Sequence, residues 1–332
     1  MKILVLGGTG VISRAIICEG FRAGHEMLAL NRGQRKVDFE TAPQTILADW
    51  SDAEQFHQKT RGLDVDVVID VLCRTEADAR RTLESFGGKT RQWIFTSSSA
   101  AYQKPFAHSP VREAEAALWA SDEYGYAYHK AQMEAYLFAQ MREKDMPITI
   151  VRPSLTYGEG CANIGVLRQN ANIVHRIRQG KPLLLYDDGS TVFTFTFAPD
   201  LARGYLSLCL NPAGYNQDFH ITSRNTASMA DYYRAFGHLV GCEPRFAYLP
   251  SRKLYEIDRD QFEHIWYEKR FDHVFSLDKI KQASPAWEPQ ISLEQGLRHM
   301  VSWWEAQGMP LDQEKDALED RLCEMAGFDA RA

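Results

Sequence analysis

No two of the six cysteines form a Cys-x-x-Cys pair. Cys18, Cys73, Cys161, Cys209, Cys242 and Cys323 are scattered singly, which argues against a disulfide framework or a zinc site and fits reduced thiols in a cytoplasmic protein. No metal is therefore expected, and lone Cys161 is given no nucleophilic role. Positive charge is not in excess either: 38 Lys and Arg stand against 44 Asp and Glu, for a net charge of −6. Nucleic-acid affinity rests on concentrated cations that neutralise phosphates, so no nucleic-acid partner is expected. No apolar run reaches the roughly 20 residues that cross a bilayer, and the glycine-broken opening segment lacks the apolar core of a secretion signal. Repeats and low-complexity stretches are missing as well. What is left is a chain of 332 residues, 45% hydrophobic and 25% charged, with enough length for one large core or a core plus a lobe.

The most informative stretch comes first, Lys2-Ile3-Leu4-Val5-Leu6-Gly7-Gly8-Thr9-Gly10-Val11-Ile12-Ser13. An apolar strand that ends in clustered glycines just before a helix is how a doubly wound sheet builds a dinucleotide pyrophosphate site. The glycines permit the tight turn and the close backbone approach, and the dipole of a helix starting near Val11 favours the negative charge. Ser13 stands where a third glycine would serve helix–strand packing.

The pattern then alternates. A helix over Arg14 to Ala23, stopped at Gly24, is followed by strands at Glu26 to Leu30, Thr45 to Ala48 and Val65 to Val71. A helix over Ala77 to Phe86 leads to a fifth strand, Gln92 to Thr96. Alternation at this spacing predicts an α/β fold with a Rossmann-type parallel sheet. The end of the second strand separates the two nicotinamide dinucleotides, because an acid there would hold a ribose 2′-OH and repel a 2′-phosphate. Asn31-Arg32-Gly33 occupies it, with Arg35 and Lys36 behind. A guanidinium suits a phosphate, so NADP is expected, with NAD as the alternative and a solvated basic loop as the plain reading. Asp49 and Trp50 end the third strand, where an adenine edge would lie.

Two further stretches fall at strand ends, where open α/β sheets place their chemistry. One is Ser97-Ser98-Ser99-Ala100. The other is Tyr124-Gly125-Tyr126-Ala127-Tyr128-His129-Lys130, which opens a helix running past Met141 toward Pro147. Positions i and i+4 share a helix face, so Tyr126 and Lys130 point into one site. A phenol with a pKa of about 10 is a poor base at neutral pH, and an adjacent ammonium stabilises its phenolate.

Gly7-x-x-Gly10-x-x-Ser13, Asp49, Ser98, Tyr126-x-x-x-Lys130 and Arg152-Pro153-x-x-x-Tyr157-Gly158 together resemble an extended short-chain dehydrogenase/reductase of the NAD-dependent epimerase/dehydratase family. Gly180-Lys181-Pro182, Asp188-Gly189-Ser190, Pro199-Asp200-Leu201-Ala202, Trp287-Glu288-Pro289 and Ser292 to Leu297 extend the likeness to about residue 305. The resemblance implies Tyr126 as acid/base, Lys130 on the nicotinamide ribose, Ser98 orienting the substrate oxygen and Pro153 beside the nicotinamide amide. With it, the dinucleotide contacts are Gly7, Thr9, Gly10, Val11, Ile12, Asn31, Arg32, Asp49, Trp50, Leu72, Ser97, Tyr126, Lys130 and Pro153. Cys73, Ser99, Tyr157 and Phe193 are substrate candidates. Domains are expected at 1–155, completed by part of 190–222, for the dinucleotide, and at 156–189 with 223–305 for the substrate. A helical tail is expected at 306–332.

Three departures narrow the reaction. Dehydratases of the family often carry Asp and Glu after the Ser98 position, where this chain has Ser99 and Ala100, so 4,6-dehydration is not expected. Phe193 stands where many members place an arginine for a nucleotide diphosphate. Asp70-Val71-Leu72-Cys73-Arg74 replaces a usual His and alanines, with Asp70 either paired inside or facing the site. In the second lobe, Asn170, Asn172, His175 and Arg176 read as a solvated helix face or as substrate contacts. Tyr248, Tyr255, Phe262, Trp266, Tyr267 and Phe271 read as lobe packing or a ring pocket. Leu318, Leu322 and Met325 recur at helical spacing, as in an amphipathic helix docked on the body or on a partner subunit. The expected function is NAD(P)-dependent hydride transfer at a secondary alcohol or ketone of a sugar-like, possibly nucleotide-linked substrate. Net ketone reduction is favoured because Arg32 implies a cofactor supplied reduced. Epimerisation with a self-regenerating bound dinucleotide is the alternative, and a non-catalytic dinucleotide-binding sensor is a further one. Family members of this type are expected to act as homodimers, away from membranes.

Overall fold

The computed structural model describes residues 1–144, 146–160 and 164–328, so Cys161 lies outside the described residues. In chain order the first half runs β1 (Lys2–Leu6), α1 (Val11–Arg22), β2 (Glu26–Asn31), β3 (Gln44–Leu47), α2 (Ala53–Thr60), β4 (Val67–Asp70), α3 (Glu76–Phe86), β5 (Gln92–Thr96), α4 (Gly125–Lys144) and β6 (Ile148–Pro153). The second half holds β7 (Leu155–Tyr157), α5 (Asn172–Arg178), β8 (Pro182–Tyr186), β9 (Val192–Phe197), α6 (Ala198–Leu208), β10 (Gln217–Ile221), β11 (Thr226–Ser228), α7 (Met229–Val240) and β12 (Arg245–Leu249). It closes with α8 (Ser251–Ile257), α9 (Arg259–His264), a π-helical turn (Ile265–Lys269), α10 (Asp278–Ala283), α11 (Leu293–Ala306) and α12 (Gln313–Met325).

Seven strands form one parallel sheet in the order β10-β6-β5-β4-β1-β2-β3. The two-residue period of a strand sorts β1 between two cores. Ile3 and Val5 pack with α1 and α6 on one face, and Leu4 and Leu6 pack toward α3 and α4 on the other. Because both faces are covered, β1, β4 and β5 read as unbroken apolar runs. The order of the strands reverses between β1 and β4, which are parallel neighbours, and this opens a crevice beyond their C-terminal ends.

The smaller lobe combines a three-stranded sheet, β11-β9-β7, with the parallel pair β12-β8. Its core takes in Phe193, Phe195, Tyr232, Phe236 and Trp304, and Phe195 stacks on Tyr232 at 4.3 Å. Helix α12 docks on the body of its own chain with Leu318 and Leu322 toward the core, as its apolar spacing predicts, but the buried face is turned away from Met325 to take in a charged residue. Leu322 and Cys323 are buried and Glu319 is fully buried, whereas Met325 is exposed. The reason lies on α5, where Asn172 and Arg176 are buried and paired within the chain while Arg178 stays exposed. Arg176 is fully buried and pairs with Asp316 at 2.6 Å, Asp320 at 2.9 Å and Glu319 at 3.3 Å. The Asn172 amide donates to Asp312 O at 2.7 Å and its oxygen accepts from Asp312 N at 2.9 Å. Burial pushes the Glu319 carboxyl up to about 7 despite Arg176.

Candidate active site

Helix α4 opens directly after Tyr124, whose carbonyl accepts the Tyr128 amide at 3.0 Å. Its first turn carries Tyr126 and its second Lys130, one above the other. Tyr126 is 41% exposed and Lys130 only 4%. Both line a cleft of about 940 Å³ with Val11 and Ile12 from α1, Ser97 and Ser98 beyond β5, and Pro153 at the end of β6. The Lys130 ammonium donates to Cys73 O at 2.6 Å and Thr96 O at 2.7 Å. An ammonium has three donors, so one proton remains for a group in the cleft. Ser98 caps a short 3₁₀ turn, Ser99–Ala101, with its oxygen accepting from Ala100 N at 3.1 Å. Its own O–H stays available to donate to a substrate oxygen.

The remaining dinucleotide candidates lie along the same sheet edge. Gly7 and Gly8 turn from β1 into α1 at φ +120° and +95°. A Cβ on Gly8 would come within 2.9 Å of the Ala29 Cβ, and one on Gly7 would meet Leu72 at 3.5 Å. Gly10 and Thr9 precede α1, whose first amides, at Val11 and Ile12, have no intrahelical partner. Ser13 is buried, and its hydroxyl accepts from Gly10 N at 3.1 Å and donates to Gly10 O at 3.2 Å. It thus locks the turn that a glycine would leave open. Asn31 accepts from Gly33 N at 2.8 Å, and Arg32 is exposed at the end of β2. Asp49 accepts from Ser51 Oγ at 2.6 Å and Ser51 N at 2.9 Å, bonds that hold its carboxyl below the ordinary value. The Arg81 guanidinium lies 4.7 Å from the Trp50 ring. Among the described residues, the buried Ser97 Oγ and Trp50 Nε1 lack a hydrogen-bond partner. A cradle that a side chain would fill, open helix amides and two orphaned donors along one edge fit a dinucleotide.

The four substrate candidates fall outside the lining of the cleft. Cys73 contributes through its carbonyl, while its thiol is buried 3.2 Å from the Met133 sulfur and pushed far up by burial. Ser99 is buried in the 3₁₀ turn. Tyr157 packs on Phe197 at 5.4 Å, and Phe193 stacks on His273 at 5.4 Å. In β7 Leu155 and Thr156 line the cleft, whereas Tyr157, the last residue of the strand, is buried outside it. Asp70 is not a site residue either. It is buried, accepting from Leu72 N and Cys73 N at 2.9 Å each and from Thr82 Oγ1 at 2.7 Å, with its carboxyl pushed up to about 6 by burial.

Sequence reasoning missed the far wall of the cleft. Tyr124, Phe262, Glu268 and Lys269 line it, with Arg168 and Lys315 at its rim. Only Tyr124, inside the Tyr-rich stretch, and Phe262, among the lobe aromatics, carried any signal. Among the described residues no group of three or more His, Cys, Asp or Glu is placed to hold a metal ion. Among them, too, no helix is long and apolar enough to cross a membrane.

Residues 3–221 match the profile of the NAD dependent epimerase/dehydratase family. The chain belongs to that family. It is an NAD-dependent enzyme of the short-chain dehydrogenase/reductase type. The chain is 24% identical over 288 residues to a 2'-dehydrokanamycin reductase of Streptomyces kanamyceticus, spanning 87% of this chain and 80% of that protein. It is 26% identical over 223 residues to a UDP-glucuronate 4-epimerase of Thermodesulfobacterium geofontis, covering 67% of this chain and 61% of that one. In fold it is similar to a UDP-glucose 4-epimerase of Thermotoga maritima solved with UDP-glucose. That likeness has a TM-score of 0.76, at 20% identity, over 92% of this chain and 99% of the other. The family-level likeness supports a sugar-related oxidoreductase or epimerase activity.

Proposed function

We propose that the protein is a ketoreductase that uses NADPH to reduce a keto group on a sugar-like substrate. The observation that carries this reading is the stacking of Tyr126 over a buried Lys130 that two carbonyls hold in place, in a cleft shared with Ser98. The reduced nicotinamide, when bound, supplies the hydride for the carbonyl carbon. Gly7, Gly8 and the α1 amides would hold the pyrophosphate, and Arg32 a 2′-phosphate. Ser98 donates to the carbonyl oxygen and fixes its distance from Tyr126. The Tyr126 phenol then delivers its proton to that oxygen, and the third Lys130 donor stabilises the phenolate left behind. Elimination of water has no acid to drive it beside Ser98, because Ser99 and Ala100 are buried in the turn.

The test is oxidation of NADPH, followed by absorbance, with a panel of nucleotide-linked and nucleotide-free keto sugars. Wild-type protein should turn over at least one, and Tyr126→Phe should lose about 100-fold or more of that rate. A Tyr126→Phe variant as fast as wild type would end this reading. The likeness to the 4-epimerase supports a second reading, epimerisation. Near-stoichiometric NAD released on denaturing the purified protein would favour it over reduction. A cytoplasmic homodimer joined through α3 and α4 is part of the proposal, and light scattering should return twice the chain mass.

A further inference from the structure

We infer that Tyr124 and Glu268 are positioning residues that hold the ring of Tyr126 in one orientation, Tyr124 as the contact and Glu268 as the anchor. The importance of that orientation rests on the reading of Tyr126 as the proton donor. A tyrosine exposed on the first turn of a helix is free to swing, so its orientation must come from a neighbour. The Tyr124 ring lies 6.2 Å from that of Tyr126, at 52° to it. Tyr124 itself is only 3% exposed. It stacks on Tyr267 at 5.8 Å and 12°, and meets Trp119 edge-on at 6.1 Å. Its hydroxyl donates to Glu268 Oε2 at 3.1 Å.

Glu268 sits on the π-helical turn Ile265–Lys269, a local geometry often found at functional sites. It is 5% exposed, and Lys269 Nζ donates to its other oxygen at 2.8 Å. Burial opposes its charge, yet Lys269, Lys104 and His273 hold the carboxyl well below the carboxylate range. A buried ion pair is weak support for stability by itself, and this one lines the cleft beside Tyr124 and Tyr126. The same network reaches the Ser98 side. Lys104, which lies in the field of Glu268, donates to Ser99 O and Tyr102 O at 2.8 Å each and to Ala100 O at 3.2 Å. Glu268 therefore reaches Tyr126 through Tyr124, while Lys104 holds the turn that follows Ser98.

The test places 3-fluorotyrosine at position 126 of the full chain and reads its fluorine spectrum, which needs no substrate. In wild-type protein one ring orientation should dominate the flipped one by about tenfold or more. Tyr124→Phe keeps the stacked ring and removes only the hydroxyl, and it should bring the two orientations to similar populations. Glu268→Ala should do the same, whereas Glu268→Gln, which keeps an acceptor for Tyr124, should resemble wild type. A merely structural role would leave the fluorine ratio unmoved in a Tyr124→Phe variant that folds and binds NADPH normally, and that result overturns the inference. If Glu268→Ala does not fold, Tyr124→Phe decides alone. Wild-type turnover by Tyr126→Phe would instead remove the functional reading while leaving the fluorine result intact.

Discussion

At the scale of single residues, the site depends on what each polar group has already given to the protein. Lys130 has two of its three donors fixed by carbonyls, so it is rigid and still has one to offer. Arg32 is the opposite case, an exposed cation at the end of β2 whose field reaches Asp49 beyond the neighbouring strand. If it holds a 2′-phosphate, Arg32→Ala should weaken NADPH binding about tenfold, near 1.4 kcal/mol, and leave NADH binding unchanged. Titration calorimetry with both dinucleotides measures this directly. Arg152 shows how a charge is accommodated when nothing is left over. It is buried against Glu134, the Tyr102 hydroxyl at 2.7 Å and Asp218 at 2.5 Å, and Lys279 meets the other Asp218 oxygen at 2.5 Å. Burial works against the Asp218 charge, but Arg152 and Lys279 outweigh it and lower the carboxyl to about 2 from 3.8. The folded value lies below the unfolded one, so this stabilisation is complete above about pH 4 and is lost as pH falls toward 2. It amounts to about 2 kcal/mol. Asp218→Asn should lower stability at neutral pH and flatten its decline between pH 4 and 2, as read by urea unfolding across that range.

Among the elements, the turn between β1 and α1 tolerates little change. Gly8 combines a left-handed backbone with a Cβ position 2.9 Å from Ala29 on β2, so the turn is wedged against its neighbouring strand. Gly8→Ala should cost about 1–3 kcal/mol and abolish NADPH binding, which thermal unfolding and fluorescence titration would show together. Helix α4 works differently, because its placement comes from tertiary partners on both sides of the turn that carries Tyr126 and Lys130. Tyr124 anchors its start through Glu268 at 3.1 Å, and Glu134 pairs with Arg152 of β6 further along. The i and i+4 rule makes Tyr126 and Lys130 neighbours, and those anchors aim them into the crevice.

On the scale of the whole molecule, the C-terminal helix is a structural part of the smaller lobe. It covers Arg176 and Asn172 and brings Lys315 to the rim of the cleft, where its ammonium donates to Arg168 O at 2.9 Å. Removing residues 309–332 would strip the three carboxylates from Arg176 and uncover the apolar surface under Leu322 and Cys323, a loss of about 3–5 kcal/mol. The shortened protein should unfold at lower temperature and bind a hydrophobic dye, yet keep its NADPH affinity within about twofold.

Local chemistry is written in short stretches, and those were legible before any fold was known. The apolar strand running into glycines, the alternation of strand and helix, and the one-turn spacing of Tyr126 and Lys130 each depend only on backbone periods of two and 3.6 residues. The packing of the smaller lobe against the sheet had to be seen before Leu155 could be put in the cleft and Tyr157, Phe193 and Cys73 outside it. The polar face of α5 looked solvated because its partners are about 140 residues away in the chain. Asp70 could be read either way until Thr82 and two backbone amides were found around it. The sequence by itself determined the single strands, the glycine turn and the one-turn spacing of Tyr126 and Lys130, since each is made from contiguous residues. Only the tertiary structure decided the far wall, where Glu268 meets Tyr124 across 144 positions, because contacts between distant segments follow from packing, which no local period records.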